Sequence, residues 1–155
     1  MSQHCKAAAR AAHGGSDYNR AVAIVGIDYG AKRIGIAISD SGVLATPHSV
    51  LPNEGDVIGK IDALGRELEA ETFVVGVARR GGGPGEQRFH DFADRLRQRT
   101  CKRVVLWDEA LSTVEASERL RAAGRKRRDA ERSIDMHAAA VILQSYLDDL
   151  AGRRS

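Results

Sequence analysis

The chain has 155 residues, 43% of them hydrophobic, with 24 basic side chains against 21 acidic ones. That length makes one domain the default and allows a real core. No stretch of 18 apolar residues occurs, which excludes an ordinary membrane-spanning helix, and the first twenty residues lack the bulky apolar block of a secretory signal.

Residues 1–20 include Ala7-Ala8-Ala9 and Gly14-Gly15-Ser16 and are expected to form a flexible tail. The folded domain is expected over 21–150, with 151–155 as a C-terminal tail. Residues 22–28 open it with an apolar run, as in a strand buried on both faces. A turn at 29–32 leads to a second strand from Arg33 to Ile38. After Ser39-Asp40-Ser41-Gly42 comes a third strand, Val43 to Leu51, placed near an edge by Pro47. Val57, Ile58, Ile61, Leu64 and Leu68 then fall at helical spacing. Thr72 to Val77 is a fourth strand, and Ala78 to Gly85 is glycine-rich. A helix over 87–103 carries Phe89, Phe92, Ala93 and Leu96 on one face, and Arg103 to Trp107 is a fifth strand. Ser112-x-x-Glu115 has capping-box form and opens a helix that Gly124 ends. A last helix is expected over 133–150 with Ser133 as its cap. Three meander strands followed by crossovers predict one mixed five-stranded sheet with helices on both faces.

Acidic residues sit where these apolar elements end. Asp28 closes the first strand, Asp108 and Glu109 close the fifth, and Asp135 opens the last helix. A carboxylate stranded in apolar surroundings costs several kcal/mol unless something pairs with it. Several in one domain point to a shared partner, a divalent ion held by oxygen ligands. Each position also has a structural explanation, as a turn residue or as an acid at a helix N-terminus. Alternation puts Asp108 and Glu109 on opposite faces, so one of them faces the site, and the sequence does not choose which. Asp135 shares a helix face with Ala138, Ala139, Ile142 and Tyr146, which aims it at the sheet.

The charge is unevenly spread. Residues 119–132 hold seven basic side chains against two acidic ones. Beside a candidate metal site, that density favours a phosphate-backbone partner. Arg125, Lys126, Arg127 and Arg128 are the expected grip, with Arg79 and Arg80 a further phosphate contact. Gly81-Gly82-Gly83-Pro84-Gly85 lacks the Lys-Ser/Thr ending of a P-loop. Cys5 and Cys101 have no metal-ligand spacing and read as two reduced cytosolic thiols.

Gly26-Ile-Asp-Tyr-Gly-Ala-Lys-Arg-Ile-Gly-Ile-Ala-Ile-Ser-Asp40 resembles the opening signature of the YqgF (RuvX) family. Val74-Val-Gly-Val77, Asp108-Glu-Ala-Leu-Ser-Thr113, and Ile134-Asp135 with Ala138-Ala139 and Ile142-Leu-Gln-Ser-Tyr-Leu147 resemble three later segments of it. The resemblance implies a ribonuclease H-like fold and a nuclease acting on Holliday junctions or on the precursor of 16S ribosomal RNA. It implies that Asp28, one or both of Asp108 and Glu109, and Asp135 are the catalytic, metal-binding acids, with two magnesium or manganese ions. Lys32, Arg33, Ser112 and Thr113 lie in the matching segments and join the expected nucleic-acid-binding set. The chain departs from the pattern at Ala110, where the family has arginine, at Ser112, and at Ala78 and Gly82-Gly83.

The leading expectation is a cytoplasmic, metal-dependent endonuclease on structured nucleic acid, working as monomer or homodimer. The alternative is a nucleic-acid-binding protein of the same fold that has lost turnover, favoured by Ala110 and the altered loop. A third reading, an actin-like nucleotide binder built on the Asp28 turn, needs a second lobe that 155 residues hardly provide.

Overall fold

The computed structural model describes residues 22–77, 84–109 and 130–154. Among these residues five strands and three helices follow one another: β1 Ala23–Tyr29, β2 Arg33–Ser39, β3 Thr46–Pro52, α1 Val57–Glu67, β4 Ala70–Val77, α2 Pro84–Thr100, β5 Arg103–Asp108 and α3 Ala130–Arg154. The strands form one sheet in the order β3-β2-β1-β4-β5. β1, β2 and β3 are an antiparallel meander, while β4 and β5 run parallel to β1. This is the expected mixed sheet, and Pro47 lies on its edge strand, where a missing N–H costs no ladder bond.

Side chains alternate across the sheet and divide the core in two. Val25, Ile27, Ile34, Ile36, Phe73 and Val75 pack beneath α1 and α2. Ala37, Val74 and, less deeply, Ile24, Val105 and Trp107 pack beneath α3 through Ala139, Ile142, Leu143 and Tyr146. Helices therefore cover both faces.

Several boundaries differ from the sequence reading, each for a local reason. β3 starts at Thr46 rather than Val43. The buried Gln144 of α3 takes up the preceding segment instead: its Oε1 accepts from the Ala45 N–H at 2.9 Å and its Nε2 donates to the Val43 carbonyl at 3.0 Å. Helix α2 begins earlier, at Pro84, because proline suits a first helical turn. It stops at Thr100, where Cys101 takes a φ of 55° and the Lys102 N–H donates to Thr100 Oγ1. Helix α3 begins at Ala130, so Ser133 is not its cap, and it runs past residue 150 to Arg154 with an Arg153–Asp149 pair at 2.9 Å. Serine favours caps only by propensity, which neighbouring helix formers override.

Cys101 is disulfide-bonded, which corrects the reduced-thiol expectation. Whether two thiols can bond depends on their distance in space, which spacing along the chain does not report. Cys5 lies outside the described residues, as do the expected N-terminal tail, the glycine-rich loop at 78–83 and the helix expected after Ser112.

Candidate active site

The face covered by α3 carries the acids. β1 alternates so that Ile24, Gly26 and Asp28 point to α3 while Val25 and Ile27 point away. Asp28 stands in register with Gly35 of β2 and Gly76 of β4. Gly35 is required by close approach of backbone, while Gly76 leaves room for a side chain. A Cβ at Gly35 would run into the Asp135 carbonyl, and one at Gly76 into the Ile142 side chain. At Gly26 it would come within 2.7 Å of Leu143 Cβ. The bare backbone thus lets α3 settle onto the sheet and brings Asp135 down beside Asp28.

On β5 the parity is decided by Trp107. Its indole N–H donates to Ser145 Oγ at 3.1 Å and its ring meets Tyr146 edge-on at 5.4 Å. Trp107 faces α3, and Glu109, just past the end of β5, acts on Asp28 from that side. The ambiguity between the two adjacent acids is resolved in favour of Glu109 as the neighbour that acts on Asp28.

The electrostatics of Asp28 report this arrangement. Its carboxyl is raised from 3.8 to about 6, first by burial, then by the negative charges of Glu109 and Asp135 and by a side-chain hydrogen bond with Glu109. That bond favours the protonated form of Asp28. Near neutral pH the proton leaves, and three carboxylates then repel one another in a partly desolvated pocket.

Arg33 enters the cluster from β2. Its Nε lies 3.0 Å from Asp135 Oδ2, with the arginine side chain 46% and the aspartate 25% exposed. Yet Asp135 Oδ2 is buried and accepts no hydrogen bond. Proximity and satisfaction disagree here because the N–H is not aimed at the oxygen: the two groups attract without bonding. An orphaned buried carboxylate oxygen beside a repelled pair suits a hard divalent cation, which takes oxygen ligands. Among the described residues, however, no three acidic, histidine or cysteine side chains are already gathered so as to hold such an ion. The donors fit in kind, and their final convergence is left to binding.

Of the expected site residues, Glu109 and Asp135 lie near enough for their charges to raise the Asp28 carboxyl. Asp108 follows Trp107 on the opposite parity and is not among the groups that act on Asp28. Lys32 and Arg33 are exposed, and Arg33 reaches Asp135. Arg79, Arg80, Ser112, Thr113, Arg125, Lys126, Arg127 and Arg128 lie outside the described residues. Sequence reasoning missed the roles of Gly35 and Gly76. The signal was present, since a glycine inside a strand often marks a close approach. It also missed that Arg33 would reach Asp135, for which no sequence signal exists.

A family model described as "RuvX: Holliday junction resolvase" matches residues 22–149. The chain belongs to the RuvX family. Curated RuvX relatives named as candidate pre-16S rRNA nucleases include one from Nitratidesulfovibrio vulgaris, 37% identical over 137 residues, covering 84% of this chain and 96% of that protein. Another, from Mycolicibacterium smegmatis, is 41% identical over 144 residues, covering 84% and 85%. Among solved structures, Thermus thermophilus RuvC bound to a Holliday junction substrate superimposes with a TM-score of 0.60 at 13% identity, covering 84% of this chain and 96% of that one. The fowlpox virus resolvase with its junction DNA gives 0.54 at 9% identity, covering 83% and 99%. These likenesses establish the ribonuclease H-like fold. The family description and the relatives' names are those of nucleases, so the RuvX chain is a nuclease, and the alternative of a binding protein without turnover draws no support from them.

Proposed function

We propose that this cytoplasmic nuclease hydrolyses phosphodiester bonds in structured RNA, with the precursor of 16S ribosomal RNA as substrate, through Asp28, Glu109 and Asp135. The observation that carries the reading is the carboxyl of Asp28, driven up to about 6 by burial and by two acids on separate elements. Such a pile-up of negative charge opposes folding and repels phosphate, so it is retained for the cation it attracts. The three carboxylates would hold magnesium or manganese, in the two-ion arrangement expected for this family. The metal would supply Lewis acidity toward the phosphate and a water acidic enough to attack at neutral pH.

The rest is the work of the chain's own groups. Asp28 must give up its proton before it can serve as a ligand, so affinity for the divalent ion should rise with pH through about 6. Gly35, with no Cβ to press on the Asp135 carbonyl, lets α3 carry Asp135 toward Asp28. Asp108, one residue from the cluster, is proposed to assist Glu109. Lys32 and Arg33, with Arg79, Arg80, Ser112 and Thr113, are proposed to lie along the substrate strand, and Arg125, Lys126, Arg127 and Arg128 to grip its phosphates without reading sequence. Replacing those last four by alanine should flatten the salt dependence of binding by about 0.7 in log–log slope for each single-strand phosphate released from the grip. An anisotropy titration at several salt concentrations measures it.

The RNA is placed first because the relatives of 37–41% identity carry that name over nearly their whole length. The deciding test is cleavage of a structured precursor RNA and of a four-way DNA junction by the purified chain, with and without manganese. Cleavage of the junction alone would overturn the RNA assignment. Cleavage of either in excess EDTA would overturn the metal mechanism.

A further inference from the structure

Arg33 is held against Asp135 by the fold. It lies on β2, two residues before Gly35 and therefore on the same face. Gly35 is the point where the Asp135 backbone presses on the sheet. A side chain starting one pleat away is bound to arrive at the Asp135 carboxylate, and it does so at 3.0 Å. The contact is poor as a hydrogen bond, because the buried Oδ2 receives none. The arginine side chain is 46% exposed and the aspartate 25%. An ion pair of that kind is weak and readily exchanged.

Resting on the reading of Asp28, Glu109 and Asp135 as cation ligands, we propose that Arg33 is a tethered counter-cation that competes with the divalent ion for Asp135 and is displaced when the ion binds. Its positive charge offsets the repulsion among the three acids while the site waits. A divalent cation brings more charge and is coordinated directly by the same oxygens, so it wins the exchange. The guanidinium released from Asp135 stays within reach of the site, where its planar fork suits a phosphate oxygen. Arg33 is thus a competitor of the cation and afterwards a contact for nucleic acid.

The test is calorimetric titration of manganese chloride into the metal-free protein, comparing wild type with Arg33→Met, which keeps much of the apolar stem and removes the charge, and with Arg33→Lys. Arg33→Met should bind manganese roughly twofold to fivefold more tightly, the range that a partly exposed ion pair can supply. Arg33→Lys, still charged, should lie between them. In the same proteins, affinity for a structured RNA without metal should fall in Arg33→Met. A simple substrate contact would weaken RNA and leave manganese unchanged, and that outcome overturns the proposal. So does weaker manganese binding in Arg33→Met with an unchanged circular dichroism spectrum and melting temperature. If the wild type binds manganese and only the variants fail to differ, the carboxylate reading stands and the role of Arg33 falls. If neither wild type nor variants bind manganese, the cation reading falls and takes this one with it.

Discussion

Asp28 and Asp62 are both carboxylates withdrawn from water, and the protein treats them in opposite ways. Asp62 sits on α1 with its side chain 8% exposed. Arg66 Nη2 lies 3.1 Å from its Oδ2 and Arg99 Nε, from α2, lies 3.4 Å from the same atom. Arg99 also reaches Asp56, the cap of α1, at 3.9 Å. The protein supplies these counter-charges itself, so the site is complete as folded and ties two helices together. Asp28 has acids for neighbours, and the Arg33 ion pair beside them reaches Asp135 without satisfying it. A buried charge balanced from within reads as structure. A buried charge set against like charges reads as a place for something from outside.

The largest effect that can break this comparison is on cleavage. Asp28→Asn should lower the rate by more than roughly a hundredfold, since losing even an outer-shell partner of a metal site costs about tenfold to a hundredfold. The same variant should be at least as stable as wild type near neutral pH without metal, because it removes a repelled charge. A rate assay paired with a melting curve checks both, and a folded, fully active variant would end the division into two kinds of carboxylate.

Gly35→Ala comes next. Its Cβ would press on the Asp135 carbonyl and push α3 off the sheet, at a cost of about 1–3 kcal/mol, with cleavage falling as Asp135 leaves Asp28. Gly152, whose added Cβ would meet nothing within 4 Å, is the control: Gly152→Ala should change stability by no more than about 1 kcal/mol, in the favourable direction. Denaturant melts of both variants make the measurement.

Asp62→Asn should behave unlike Asp28→Asn, losing about 1–2 kcal/mol in stability while cleavage is unchanged. The loss stays at the lower end because Arg66 and Arg99, 74% and 52% exposed, regain water when their partner goes. Equal stability changes in the two variants would erase the contrast.

The subtlest difference is in pH. A carboxyl raised in the folded state binds its proton more tightly there than in the unfolded chain. That contribution to stability is fully present below about 3.8 and is lost as pH rises through about 6. The metal-free protein should therefore lose of the order of 1–2 kcal/mol from Asp28 across that window, reduced from the full shift because the group is partly solvated. Asp28→Asn should lack this loss, and saturating manganese should reverse it. Urea melts at about pH 4 and about pH 7, with and without the metal, resolve the difference.

Much of the fold was legible in the chain. The meander, the edge position of Pro47, the two crossover strands and the face formed by Phe89, Phe92, Ala93 and Leu96 all followed from period and turn chemistry. Boundaries slipped at Ser133 and at Val43. There a tertiary contact, the grip of Gln144 on residues 43–45, or the run of helix formers outweighed the local signal. Asp62 carries no signal in the sequence, because an aspartate in a helix looks exposed until its partners on another helix are known.

For the site, the sequence by itself determined which acids stand at the ends of apolar elements, and through four ordered motifs it determined the family. It could not choose between Asp108 and Glu109, because a strand apolar on both faces carries no mark of which face is which. Only the seating of Trp107 against Ser145 and Tyr146 decided that. Nor could it show that Gly35 and Gly76 flank Asp28, or that Arg33 leans on Asp135, since those contacts join residues paired across strands or lying on distant elements. Local periodicity fixes what each segment can bury. What it is buried against, and hence which charges must face one another, is set only when the sheet closes its register and α3 comes down upon it.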